Sequence, residues 1–164
     1  MTRNRPWRML GALALLTMTG TGWAGAAETF TADLAGSEEP PPISTPGRGL
    51  FVATLNDAET SLGFFLTYFG LEGQAMMAHI HFAPRGVNGG IVAFLCGGGG
   101  KPDCPAPGVP ATGTVTAADV TGPANQGIAA GEFAELLRAL RAGDTYVNVH
   151  TSLFPSGEVR GQVK

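Results

Sequence analysis

The chain has 164 residues and a formal net charge of −3, and hydrophobic residues make up 44% of it. Its 10 basic residues are outnumbered by 13 acidic ones, so it lacks the basic surplus with which proteins bind nucleic-acid backbones, and no nucleic-acid partner is expected. After residue 27 no apolar run approaches the roughly 20 residues that a membrane-spanning helix needs, which excludes a membrane span in that part of the sequence.

The first predicted element is a secretory signal peptide at residues 1–27. Three arginines precede an apolar stretch at 9–18, and a run of small residues follows it. This order is typical of a signal peptide, and the small residues allow cleavage after either Ala26 or Ala27. The remaining part, residues 28–164, has the length of one ordinary domain. We therefore expect a single exported domain, secreted from the cell or retained in a periplasm.

From residue 29 onward, apolar and polar residues alternate as they do in half-buried strands. Clusters of Pro, Gly, Asn and Asp separate the alternating stretches, as turns between strands do. The predicted strands are 29–34, 50–55, 62–69, 75–82, 91–95, 113–116, 145–151 and 158–163.

One segment has a different period. Phe133, Leu136 and Leu140 recur at helical spacing between Gly131 and Gly143, which predicts a short amphipathic helix. About eight short strands with one helical insertion predict an all-β fold, either an antiparallel β-sandwich or a partly closed barrel.

Cys96 and Cys104 are the two cysteines of the chain, and the flexible sequence GGGGKPD separates them. In an exported protein a disulfide is the favoured state, whereas a thiolate metal site would need further ligands nearby. Closing so short a loop stabilises a fold by about 2–3 kcal/mol. We expect the bridge to tether one loop rather than to hold the fold together.

Three predicted strands place polar residues on one face. These residues are His79 and His81 in 75–82, Tyr146, Asn148 and His150 in 145–151, and Glu158, Arg160 and Gln162 in 158–163. A short loop around residue 156 joins the last two strands, so we expect a hairpin that brings His150 close to Glu158 or Arg160. If strand 75–82 lies near this hairpin, all three histidines of the chain converge on one patch.

Two hypotheses remain open for this patch. In the first, it is a hydrogen-bonded layer in which Arg160 pairs with Glu158, and the chain is a non-enzymatic binding or structural module. That pairing predicts non-additive effects of substitutions at the two positions. In the second, His79, His81 and His150 bind copper or zinc, for which neutral imidazoles are suitable ligands, and a redox role is open. The arginine favours the first hypothesis, because a cation beside a divalent metal is unfavourable unless Glu158 neutralises it.

Other motifs in the sequence give little indication of a catalytic or binding site. No G-x-S-x-G elbow occurs, and GVNGG at 86–90 lacks the GK[ST] ending of a phosphate loop, so a non-enzymatic role is favoured. Glu38 and Glu39 lie in a proline-rich turn, where solvated charge is the usual role. Met76 and Met77 could offer a thioether to Cu(I), although methionine in an apolar strand is more often core filler.

Four segments, FTADLAGSEEPPP, AHIHFAPRGVNGGIVAFL, GTVTAADV and AGDTYVNVHTSLFPSGEVRGQV, follow one another in the order and approximate spacing of the CHRD domain. This module is repeated in chordin and stands alone in many exported bacterial proteins, and the chain resembles the stand-alone type. The resemblance implies an all-β secreted module. No cofactor is expected to be required, although copper or zinc stays open. Its partner would be an extracellular or periplasmic protein or ligand that the sequence does not identify.

Overall fold

A computed structural model describes residues 1 and 27–164, so the signal peptide predicted for 1–27 lies almost entirely outside the described residues. Eight strands and one α-helix are formed, and every predicted strand is present to within two residues at each end. The strands are β1 (Thr29–Ala35), β2 (Arg48–Leu55), β3 (Ser61–Phe69), β4 (Ala75–Phe82), β5 (Gly90–Cys96), β6 (Ala111–Thr116), β7 (Thr145–Thr151) and β8 (Val159–Gln162). The helix α1 spans Phe133–Ala142.

All eight strands form one antiparallel sheet in the order β5-β4-β7-β8-β1-β2-β3-β6. The two end strands, β5 and β6, approach each other, so the sheet curls into a nearly closed barrel. This closure decides between the two predicted architectures in favour of the barrel. It also places β4, β7 and β8 side by side, although a long stretch of chain separates the first from the other two.

The barrel core is formed by the inward residues of each strand together with the apolar face of α1. Leu136 and Leu140 of the helix are 0% and 2% exposed, and each fully buried leucine contributes about 1.5–3 kcal/mol. The helix ends at Gly143, whose φ of 73° lets its N–H reach the carbonyls of Ala139 and Leu140. At ten residues, α1 is the longest helix in residues 27–164, and none there is long and apolar enough to cross a membrane.

Cys96 and Cys104 form the predicted disulfide, which closes a loop directly after β5. Two glycines of this loop pack on the ring of Phe94, where an added Cβ would lie 2.7 Å from the ring at Gly98 and 2.6 Å from it at Gly99. A side chain at either position would push the loop off the ring. The bridge therefore holds the loop against Phe94.

Replacing both cysteines by alanine is expected to lower the free energy of unfolding by about 2–3 kcal/mol, because the bridge restricts a short loop of the unfolded chain. Urea denaturation of the variant and the wild type measures this difference, and chemical reduction of the wild type should reproduce it. Loss of cooperative unfolding in the variant would show that the bridge holds the whole fold together.

Candidate metal centre

The polar face predicted from three strands is formed because β4 pairs directly with β7. The register places His79 opposite Asn148, and His81 opposite Tyr146. On the other side of β7, Asn148 faces Arg160 of β8. The three histidines of the chain meet on this face, with one ligand atom from each lying within 4.8 Å of the others. We call His79, His81 and His150 the histidine cluster.

Two backbone carbonyls fix the orientation of the cluster. His81 Nδ1 lies 3.0 Å from the Gly89 carbonyl oxygen, and His150 Nδ1 lies 2.9 Å from that of Pro155. A carbonyl only accepts, so in both rings the proton is on Nδ1 and the lone pair is on Nε2. His79 Nδ1 lies 3.1 Å from His150 Nε2, to which it donates. All three Nε2 atoms therefore carry lone pairs.

The cluster is electrically neutral near pH 7. Burial, reinforced by the neighbouring imidazoles of His150 and His81, lowers the pKa of His79 to about 3. Burial lowers the pKa of His81 to about 4, although the hydrogen bond to Gly89 opposes the shift. The pKa of His150 is also lowered by burial. Protons therefore compete weakly for these nitrogens at physiological pH.

Several buried polar atoms of this face lack a hydrogen-bond partner. Within the described part of the chain, Nε2 of His79 and Nε2 of His81 are both buried and have no partner. The two residues are only 2% and 7% exposed. Asn148 Oδ1, which belongs to the same face, is likewise buried without a partner. Such atoms are uncommon in native proteins, because each loses its bonds to water on burial and gains nothing in return.

Tyr146 separates the histidine cluster from Arg160. The His81 ring stacks on Tyr146 with a centroid distance of 4.7 Å and an interplanar angle of 4°. The Arg160 guanidinium lies 3.3 Å from the Tyr146 centroid, and β7 runs between β4 and β8. The phenol ring is thus placed between the imidazole and the cation, which reduces the electrostatic objection to a metal.

Arg160 holds the loop that orients His81. Its guanidinium donates to the carbonyls of Pro84 and Val87, the latter at 2.8 Å, and to the side-chain oxygen of Asn88. Gly89, whose carbonyl accepts from His81, is the next residue of the same loop. The arginine therefore acts as a positioning residue for the cluster.

The predicted pair of Glu158 and Arg160 is wrong. Glu158 precedes β8, next to Gly157 with a φ of 126°, so the strict alternation of a strand does not extend to it. Its carboxylate turns away from the polar face and accepts hydrogen bonds from Thr45 Oγ1, Thr151 Oγ1 and the backbone N–H groups of residues 72 and 73. Among residues 27–164, no ion pair joins it to Arg160 and no hydrogen bond joins it to His150.

Glu39 lies near this polar face, although the sequence analysis predicted a solvent-exposed role for it. The turn predicted to expose it packs against the start of β8, and its side chain is only 6% exposed. Burial raises the pKa of Glu39 to about 7, while the charge of Arg160 and a hydrogen bond with Asn148 act against the rise. Only the FTADLAGSEEPPP motif, which contains Glu39, could have signalled that the turn matters.

This arrangement suits one kind of chemistry. Three neutral imidazoles match the donor set of zinc and copper proteins, and carbonyls orient two of them, His81 and His150, through their other nitrogens. Phe94 of β5 covers His79 edge to face at 4.5 Å between centroids, which closes one side of the cluster to water. His79, His81, His150, Tyr146, Asn148 and Arg160 thus share one face, and Glu158 does not.

Comparison with known proteins gives one finding. A family model described as CHRD domain matches residues 30–163, nearly the whole described chain. Searches of curated proteins and of solved structures returned no match. The resemblance stated from four sequence segments is thereby confirmed.

Proposed function

This chain belongs to the CHRD domain family, and we propose that it is an exported binding module whose histidine cluster binds a copper or zinc ion. The observation that carries the proposal is the pair of buried Nε2 atoms, on His79 and His81, that have no partner among the described residues. A metal ion would accept both lone pairs at once.

The alternative of a purely hydrogen-bonded layer explains less of the geometry. Arg160 donates three hydrogen bonds to its loop acceptors, and the Nδ1 atoms of His81 and His150 donate to carbonyls. His79 Nδ1 donates to His150 Nε2, so the Nε2 atoms of His79 and His81 are left as two lone pairs that cannot hydrogen-bond to each other. A cation is the group that satisfies several converging acceptors.

Further features support an exported location. The disulfide between Cys96 and Cys104 is of a kind that persists in oxidising compartments. The signal peptide predicted at 1–27 points the same way. The partner of the module, a protein or another ligand outside the cytoplasm, is left open by this proposal.

Purified protein stripped with a chelator is expected to take up one equivalent of Zn(II). At a free zinc concentration about 100 times Kd, binding should stabilise the fold by about 2.7 kcal/mol, measured as a rise in melting temperature. His150→Gln and His79→Gln should each abolish most of that rise, and no histidine exists outside the cluster to substitute for them. Absence of retained metal together with an unchanged melting temperature in zinc and in copper would overturn the proposal.

A further inference from the structure

We propose that the histidine cluster takes monovalent copper, Cu(I), and that Met77 supplies a thioether ligand to it. This inference rests on the proposed metal site and identifies the ion and a fourth ligand. Neither the family match nor the three histidines alone implies a sulfur donor.

The strand register places Met77 at the cluster. Met77 pairs with His150 across β4 and β7, and it precedes His79 by two residues on the same strand. Side chains two apart on a strand share a face, and directly opposed residues have Cβ atoms about 4.5–5.5 Å apart. Met77 is therefore a neighbour of His79 along β4 and of His150 across to β7.

Burial places Met77 at the mouth of the site. His79 and His81 are buried, whereas His150 and Met77 are each partly exposed. The His79 and His150 rings are adjacent, with 4.8 Å between their centroids, and one ligand atom of each histidine lies within 4.8 Å of the others. A flexible methionine side chain beside them can bring its sulfur to an ion that enters from solvent.

Met76 offers a contrast one residue away. It is the extra residue of the irregularity between the Ala75 and Met77 pairs, and it is 49% exposed. It lines a surface depression with Asp103 and Cys104, on the side of the disulfide loop. Met76 thus lies on the side of the disulfide loop, and it is not paired with a histidine.

The donor set favours Cu(I) over other ions. Thioethers are soft ligands that select Cu(I), while zinc binds well to three imidazoles without sulfur. Both cysteines are held in the disulfide, so methionine is the soft donor near the cluster. Loss of Met77 should therefore weaken Cu(I) binding and leave Zn(II) binding unchanged.

The test compares the wild type with Met77→Leu and with Met76→Leu as the matched control. Cu(I) affinity is measured by competition with bicinchoninate under ascorbate, and Zn(II) affinity by competition with a chromophoric chelator. Met77→Leu is expected to lower Cu(I) affinity by at least about tenfold and to leave Zn(II) affinity unchanged. Met76→Leu should match the wild type for both ions. X-ray absorption of the Cu(I) protein should show copper–sulfur scattering that Met77→Leu removes.

The outcomes separate the two proposals. Equal Cu(I) affinity in wild type and Met77→Leu, or wild-type protein that binds Zn(II) but not Cu(I), overturns the Met77 assignment alone. An equal fall in Zn(II) affinity also overturns it, since a general distortion would then explain the result. Wild-type protein that binds neither ion overturns the metal site itself.

Discussion

Glu158→Ala is expected to lower the free energy of unfolding by about 4–6 kcal/mol, a large part of the 5–15 kcal/mol typical of a domain. The Glu158 carboxylate is fully buried and accepts from four donors, two hydroxyls and two backbone N–H groups. Alanine leaves all four donors without this acceptor, and the Thr151 hydroxyl among them is buried. Urea denaturation monitored by far-UV circular dichroism measures the loss. A variant with nearly the same free energy of unfolding as the wild type would contradict the assigned role.

Glu158→Gln keeps one acceptor oxygen and provides a variant that folds even where alanine does not. Burial alone would raise the pKa of Glu158, but hydrogen bonds from Glu72, Thr151, Thr45 and Gly73 outweigh it and lower the pKa below 4.5. A lowered pKa contributes stability that is present above the unfolded-state value and is lost as pH falls. Glu158→Gln should therefore lose less stability than the wild type between pH 5 and pH 3.

Arg160→Met is expected to cost about 3–5 kcal/mol, because it removes three hydrogen bonds from a buried charged group and leaves their acceptors unpaired. Those acceptors belong to the loop that carries Gly89, so metal affinity should fall as well. Arg160→Lys keeps the charge but not the planar fork, and it should lose less stability. Unchanged stability and unchanged zinc affinity in Arg160→Met would contradict the positioning role.

The absence of a Glu158–Arg160 pair can be tested by measuring the free energy of unfolding. The two side chains have separate sets of partners, so the effects of Glu158→Gln and Arg160→Lys should add to within about 0.5 kcal/mol in the double variant. The pairing predicted from the sequence would instead make the double variant more stable than the sum of the two losses. A double-mutant cycle in urea therefore separates the two arrangements.

Alternation within strands was sufficient to predict the polar face. His79, His81, Tyr146, His150 and Arg160 all lie inside regular strands, where a period of two assigns each side chain to a face. The direct pairing of β4 with β7 could only be assumed, because it depends on the order of strands in the closed sheet. Sequence spacing carries no information on that order.

The two errors share a physical cause. Glu158 and Glu39 both lie just outside strands, in turns whose direction is set by packing against distant segments. Glu158 is turned toward residues 45, 72 and 73, and the Glu39 carboxylate lies against Gly157, just before β8. Hydropathy predicts that acidic residues in such turns are exposed to solvent. Only the tertiary structure shows that these two are buried.

The pairing of β4 with β7 also sets when the proposed metal site can form. His79 and His150 are 71 residues apart in the chain and meet only when the sheet has formed. The unfolded polypeptide therefore lacks the histidine cluster, and metal binding in the proposed role would follow folding. In the proposed role, the cluster would therefore select its ion from the metals of the compartment where the chain folds, and not from those where it is synthesised.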